Sequence, residues 1–320
     1  MPTVLITDSL FFFKEHEQQL KTAGYDFERL DKPDATEEEL IAAVKGKVGY
    51  LLGGIERVTQ KVIDAADELK VISVAAIDIH GFIPALDYAT EKGIAVTNTP
   101  DGPTNEAAEW AVTAALMMTR NFLELGRVNP ATKFMLTKGL ENQNIGIVGL
   151  GRIGSRIVEI TRGFRPNKIS YYSPHRHEDK EKALSADYLE LPELLAQSDV
   201  LFLCVDGKAK DFFGVEQFQQ MKSGSLLVNI THPGVIDEAA LYEVLSSERI
   251  RAISDHPMKS DARFNDLPLD RWYCMNASNT ITEAGAKLMS DMATESLINV
   301  LTTGNDKYLV NPDYLKNNSH

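Results

Sequence analysis

Six consecutive residues, Gly149-Leu150-Gly151-Arg152-Ile153-Gly154, constrain this chain more than any others. The apolar run Asn144-Ile145-Gly146-Ile147-Val148 before them reads as a buried strand, and a helix is expected from Arg152 onward. Strand, glycine turn and helix in that order frame a dinucleotide-binding unit. The first glycine permits the tight turn, and the second lets backbone amides approach a pyrophosphate. The third allows helix and strand to pack closely, while the helix N-terminus offers the positive end of a dipole. Gly149, Gly151, Arg152, Ile153 and Gly154 are therefore the candidate phosphate contacts.

Alternation continues along nearly the whole chain. Strands are expected at Val4–Thr7, Val48–Leu52, Val71–Val74 and Ile94–Thr97. A long amphipathic helix is expected from Thr104 to about Leu125, with Ala108, Val112, Ala115, Leu116 and Thr119 on one face. A second series of strands follows at Asn144–Val148, Lys168–Tyr172, Val200–Cys204, Leu226–Ile230 and Ile250–Ile253, and a last long helix spans about Thr282–Leu301. Strands and helices in alternation give parallel sheets with crossover helices on both faces. A length of 320 residues suits two such domains or one large α/β unit.

Charge and cysteine usage exclude several partners. The formal net charge is −13 with no basic block, so neither nucleic acid nor an anionic membrane surface is an expected partner. The two cysteines, Cys204 and Cys274, sit in apolar runs, which fits a reducing cytoplasm rather than a disulfide framework. Residues 1–6 lack the features of a signal peptide, and no apolar run is long enough to span a bilayer. No His, Asp or Glu cluster has metal-ligand spacing, so no metal is expected.

The second strand after the turn bears on the choice of cofactor. An acidic residue at its end accepts the ribose hydroxyls of NAD, whereas an arginine nearby accommodates the 2′-phosphate of NADP. Here the strand ends in Ser173-Pro174-His175-Arg176-His177, with no acid in place. Ser173 and Arg176 favour NADP(H) over NAD(H). A solvated basic loop balanced by Glu178 and Asp179 would leave NAD(H) open.

With these segments assembled, the sequence resembles the D-isomer-specific 2-hydroxyacid dehydrogenases. The likeness rests on Val96-Thr97-Asn98-Thr99-Pro100 with Thr104 and Glu106-Ala107-Ala108-Glu109, and on Ile147 to Gly154. Ser198-Asp199-Val200, Met221-Lys222-Ser223-Gly224, Val228-Asn229 with Asp237 to Leu241, and Leu309-Val310-Asn311-Pro312 extend it over nearly the full length. The resemblance implies an α/β protein of two Rossmann-like, doubly wound parallel-sheet domains with an active-site cleft between them. Residues 1–102, completed by 284–320, would form the substrate domain, and residues 103–283 the dinucleotide-binding domain. It further implies a homodimer with the helix near Thr104–Leu125 at the interface, a small-molecule substrate, and cofactor contacts from Thr104, Thr231 and Asp255.

The catalytic positions depart from that family's pattern. An arginine is expected shortly after the Val-Asn pair, yet Asn229-Ile230-Thr231-His232 places His232 there. The family glutamate would lie five residues beyond Asp255, where Ser260 stands beside Asp261. The family histidine belongs in a loop that here reads Cys274-Met275-Asn276-Ala277, so Asn276 takes its place. The loop holding the substrate carboxylate through glycine amides is replaced by the bulkier Ala75-Ala76-Ile77-Asp78. Without the arginine fork, a carboxylate loses its bidentate partner. His232 is the leading acid–base candidate, with His256 and His80 as others, and Asp261 would orient a base. Lys208 fits a phosphate contact and an exposed charge equally well. Three functions stay open: an NADP(H)-dependent oxidoreductase with a repurposed site, a conventional 2-ketoacid reductase, and a non-catalytic nucleotide-binding scaffold.

Overall fold

In the computed structural model the described residues are 1–7, 12–77, 79, 81–127, 136–205, 209–231, 233–255, 262–275 and 282–317. The chain divides into two compact units, Met1–Pro103 with Thr282–His320, and Thr104–Ile281.

The first unit runs β1 (Thr3–Thr7), α1 (Lys14–Thr22), β2 (Asp26–Leu30), α2 (Glu37–Ala43), β3 (Lys47–Leu52), α3 (Gln60–Ala65), β4 (Val71–Val74), α4 (Leu86–Glu91) and β5 (Ala95–Thr97). Its five strands are all parallel, in the order β2-β1-β3-β4-β5. Successive side chains point to opposite faces, so each strand feeds two cores. Leu5, Tyr50, Leu52, Ile72 and Val96 face one. Val4, Ile6, Leu51, Val71 and Ala95 face the other, where Met289, Ala293 and Leu297 of the C-terminal helix cover them. The tail is tied in by Asn311. Its buried amide accepts from the Val96 N–H at 2.7 Å and donates to the Ile94 carbonyl and the Thr90 hydroxyl, both at 2.9 Å.

The second unit opens with α5 (Thr104–Thr119) and α6 (Phe122–Leu125), then β6 (Asn144–Val148), α7 (Arg152–Arg162), β7 (Lys168–Tyr172), α8 (Glu178–Leu184) and β8 (Asp187–Tyr188). It continues with α9 (Leu191–Gln197), β9 (Val200–Leu203), α10 (Val215–Gln220), β10 (Leu226–Asn229), α11 (Glu238–Ser246), β11 (Arg251–Ser254) and β12 (Trp272–Cys274). The sheet is parallel throughout, in the order β12-β11-β10-β9-β6-β7-β8. Its strand order reverses between β6 and β9, the switch point at which such sheets take their ligands. Ile145, Ile147, Tyr171 and Phe202 pack under α5 and α7, and Val148, Leu201, Leu203 and Leu227 under α9, α10 and α11. The final helix, α12, spans Glu283–Thr303 and belongs to the first unit.

The fold is therefore two doubly wound parallel sheets, and each strand expected from the sequence is present. Two local features differ. The expected helix from Thr104 to Leu125 breaks after Thr119. The buried Thr119 hydroxyl bonds back to the Ala115 carbonyl at 2.8 Å, and Asn121 takes a left-handed φ of 50°. Strands β2, β8 and β12 are not expected from the sequence, and all three are sheet edges. An edge strand has one unpaired side and less need of apolar side chains.

Candidate cofactor site

Because the second sheet is parallel throughout, the carboxyl ends of its strands share one edge. Gly149 follows β6, Ser173 follows β7, Cys204 follows β9, Asn229 ends β10 with Thr231 two residues on, and Asp255 follows β11. The sequence-predicted cofactor residues of this unit other than Thr104 thus come from neighbouring strand ends, from the start of α7, or, for Arg176, from the segment between β7 and α8.

The glycine turn shows why each glycine is needed. Gly149 has φ +98°, a region costly for side chains, and a Cβ there would lie 2.7 Å from the Cys204 carbonyl oxygen. The turn from β6 therefore lies directly on the end of β9. A Cβ on Gly154 would lie 2.1 Å from the Gly149 carbonyl oxygen, so α7 can seat itself only without one. Gly151 is different: a Cβ there meets nothing within 4 Å. Fold packing does not require that glycine, and the open approach to its backbone is what a pyrophosphate needs. Gly151 also caps α7 without any side-chain hydrogen bond, and the first turn of α7 carries no acid to neutralise its dipole. These features fit a dinucleotide. Arg152 and Ile153 begin α7, the former exposed and the latter half-buried.

Thr104 starts α5, and its neighbour Asn105 fixes that start against α7 by accepting from Arg156 Nε at 2.7 Å. Thr231 is buried. Its backbone N–H and its hydroxyl both donate to Asn229 Oδ1, at 3.1 and 2.6 Å, while Asn229 Nδ2 donates to Ser254 Oγ at 3.0 Å. This network locks the ends of β10 and β11 together. Asp255 is buried at the next position, and its N–H donates to the Asn229 carbonyl at 3.2 Å. Burial pushes the Cys204 thiol up, and the negative charge of Asp255 adds to the effect. Cys204 is therefore a thiol rather than a nucleophilic thiolate at neutral pH.

Ser173 is buried at the end of β7. Arg176 is exposed, but its guanidinium fork closes on Glu181, with Nε to Oε1 at 2.7 Å and Nη2 to Oε2 at 2.8 Å. The Tyr171 hydroxyl donates to the same carboxylate at 2.7 Å, and Arg176 lies over the Tyr188 ring, 5.6 Å from its centroid. Arg176 first, then Tyr171, hold the Glu181 carboxyl down at about 2. The pair is therefore ionised across the neutral range, and the charge of Arg176 is already balanced.

One residue at the turn was missed from the sequence. Lys180, half-buried on α8, reaches back to the glycine turn and donates from Nζ to the Leu150 carbonyl at 2.8 Å. A lysine three residues past His177 in an acidic helical turn gives no sequence signal of that reach.

In the first unit, Ala75, Ala76 and Ile77 follow β4. The Ala75 N–H donates to the Leu52 carbonyl at 2.9 Å. The carbonyls of Ala76 and Ile77 accept from the Thr99 N–H at 3.0 Å and the Asn98 side chain at 2.7 Å. Asn98 and Thr99, in the Val96–Pro100 segment, therefore shape this loop. The catalytic candidates His232, Asn276, Asp261 and His256 lie outside the described residues, as do Asp78, His80, Lys208 and Ser260. Among the described residues, no cluster of His, Cys, Asp or Glu is placed to hold a metal ion, and no helix is long and apolar enough to cross a membrane.

Residues 112–277 match the family profile of the D-isomer-specific 2-hydroxyacid dehydrogenase NAD-binding domain. The chain is 29% identical over 313 residues to a D-3-phosphoglycerate dehydrogenase of Methanocaldococcus jannaschii, covering 94% of this chain and 58% of that one. It thus spans little more than half the length of that relative. Among solved structures, the TT0316 protein of Thermus thermophilus superposes with a TM-score of 0.83 at 24% identity, over 96% of this chain and 99% of the other. An NAD+-bound 3-phosphoglycerate dehydrogenase of Entamoeba histolytica gives 0.80 at 20% identity, over 97% and 99%.

Proposed function

This chain belongs to the D-isomer-specific 2-hydroxyacid dehydrogenase family of NAD(P)-dependent oxidoreductases, and from that premise we propose that it exchanges hydride between NADP(H) and a carbonyl compound other than a simple 2-keto acid. The observation that carries the cofactor half is the glycine turn, with its open approach at Gly151 and an α7 terminus capped by no side chain. Ser173 at the end of β7, where an acid would serve NAD, supports NADP(H). Residues Thr104–Ile281 would carry the cofactor, and Met1–Pro103 with Thr282–His320 the substrate.

The substrate half rests on residue types. The bound nicotinamide supplies or accepts the hydride. The chain's own task is to orient the carbonyl, polarise its oxygen and move one proton. By its resemblance to the family, His232 would take the sequence position of a carboxylate-gripping arginine, and an imidazole titrates near neutrality. Asn276 would donate a hydrogen bond to the carbonyl oxygen but no net proton. Asp261 would orient the base, with His256 as the alternative proton donor. Ala75, Ala76 and Ile77 would border the substrate. We place the protein in the cytoplasm as a homodimer acting on a small molecule. The absence of a basic block argues against nucleic acid and anionic membranes.

The test is a fluorescence titration of the purified protein with NADPH and, separately, NADH. Tighter binding of NADPH is the expected result. If neither binds at millimolar concentration, the cofactor reading fails; if NADH binds more tightly, the NADP(H) preference fails. For the site assignment, His232→Ala is expected to lower the NADPH-dependent rate by about a hundred-fold or more on whichever carbonyl substrate the wild type reduces. An undiminished rate would remove His232 from the mechanism.

A further inference from the structure

We propose that Lys180, and not Arg176, is the residue that recognises the adenosine 2′-phosphate of NADP(H). The proposal rests on the reading of the glycine turn as a dinucleotide site and assigns its specificity to one side chain.

In a unit of this kind the pyrophosphate lies at the N-terminus of the helix after the glycine turn. The ribose lies towards the end of the second strand. A 2′-phosphate therefore falls between the glycine turn and the end of β7. Lys180 bridges this gap: it rises from α8, after β7, and its ammonium sits 2.8 Å from the carbonyl of Leu150, the middle residue of Gly149-Leu150-Gly151. An ammonium has three donors, and that carbonyl uses one. Among the described residues, no carboxylate lies within ion-pair distance of Lys180. It is half-buried, so its charge is screened less than that of an exposed lysine.

Arg176 is the obvious competitor, and the structure argues against it. Both arms of its fork are on Glu181, and the Tyr171 hydroxyl also donates to that carboxylate. A phosphate would have to displace a bidentate, charge-assisted pair to engage it. Lys180 needs no such exchange. The Leu150 carbonyl holds the ammonium in place, and Ser173 at the end of β7 puts no negative charge in the phosphate's way.

The experiment compares calorimetric dissociation constants for NADPH and NADH in the full-length protein and three variants. Lys180→Gln keeps a donor for the Leu150 carbonyl but removes the charge. It is expected to weaken NADPH binding by about ten-fold or more and to move NADH by less than about two-fold. Lys180→Arg should preserve the preference, and Arg176→Gln should leave the NADPH-to-NADH ratio unchanged. Equal weakening of both cofactors in Lys180→Gln would make Lys180 a prop for the turn and overturn the proposal. So would no change in either, or loss of the preference in Arg176→Gln. A wild type that binds NADPH tightly while Lys180→Gln matches it would sink this assignment alone. A wild type that binds neither cofactor, or prefers NADH, would sink the underlying reading with it.

Discussion

Gly154→Ala is expected to destabilise the Thr104–Ile281 unit by about 3 kcal/mol, a cost at the upper end for an overpacked contact. The added methyl would sit 2.1 Å from the Gly149 carbonyl oxygen, with Ile147 Cγ2 at 3.1 Å. Neither neighbour can yield cheaply. The carbonyl belongs to a residue already at φ +98° that packs on the end of β9, and Ile147 is fully buried in the core beneath α7. Relief therefore requires α7 to move off the sheet, which would open the contacts of Ile157 and Val158 with Ile145 and Tyr171. Thermal unfolding of the variant reads the effect directly. An unchanged midpoint would mean that the helix is not seated as closely as the structure has it.

That contact also illustrates what was legible in the sequence. Glycine spacing after an apolar strand encodes a geometric requirement, because no other residue meets it, so the turn could be read without coordinates. Central strands were equally plain: Val71–Val74 and Leu226–Asn229 are buried on both faces and read as nearly continuous apolar runs, with only Ser73 and Asn229 polar. The edge strands were opaque for the opposite reason. Asp26–Leu30 pairs with one neighbour only and keeps its residues exposed or half-buried, leaving no apolar pattern to find. The break after Thr119 was hidden too, since the helical pattern continues through Phe122 and Leu125 and only the left-handed Asn121 interrupts it.

Several segments that carry the family likeness serve the fold. Asp199 accepts from Lys222 at 2.6 Å and from the Asn144 N–H at 2.9 Å, joining the starts of β6 and β9 to the segment after α10. Asp237 caps α11 by accepting from the Ala240 N–H at 3.1 Å, and Asn311 pins the tail to β5. Family membership is thus written largely in residues that hold strands and caps. Lys180 shows the converse limit. Its role depends on a side chain reaching from α8 to the glycine turn, and no local spacing records that reach.

Gly151→Ala should separate binding from folding. Its Cβ would enter open space, with no atom within 4 Å, and its backbone at φ −75°, ψ −155° is extended and open to alanine. The thermal midpoint is expected to stay within about 4 °C of the wild type, since alanine in place of glycine at a helix N-cap costs about 1 kcal/mol. The same methyl would occupy the approach that a pyrophosphate needs to reach the backbone amides at the start of α7. Affinity for NADPH and NADH should fall together by about a hundred-fold or more, because the lost contacts are charge-assisted and common to both cofactors. A variant that folds normally and still binds either cofactor at wild-type strength would show that the dinucleotide lies elsewhere. A variant that loses both stability and binding would show that Gly151 is needed by the fold after all, and the open space above it would no longer count as a sign of the ligand.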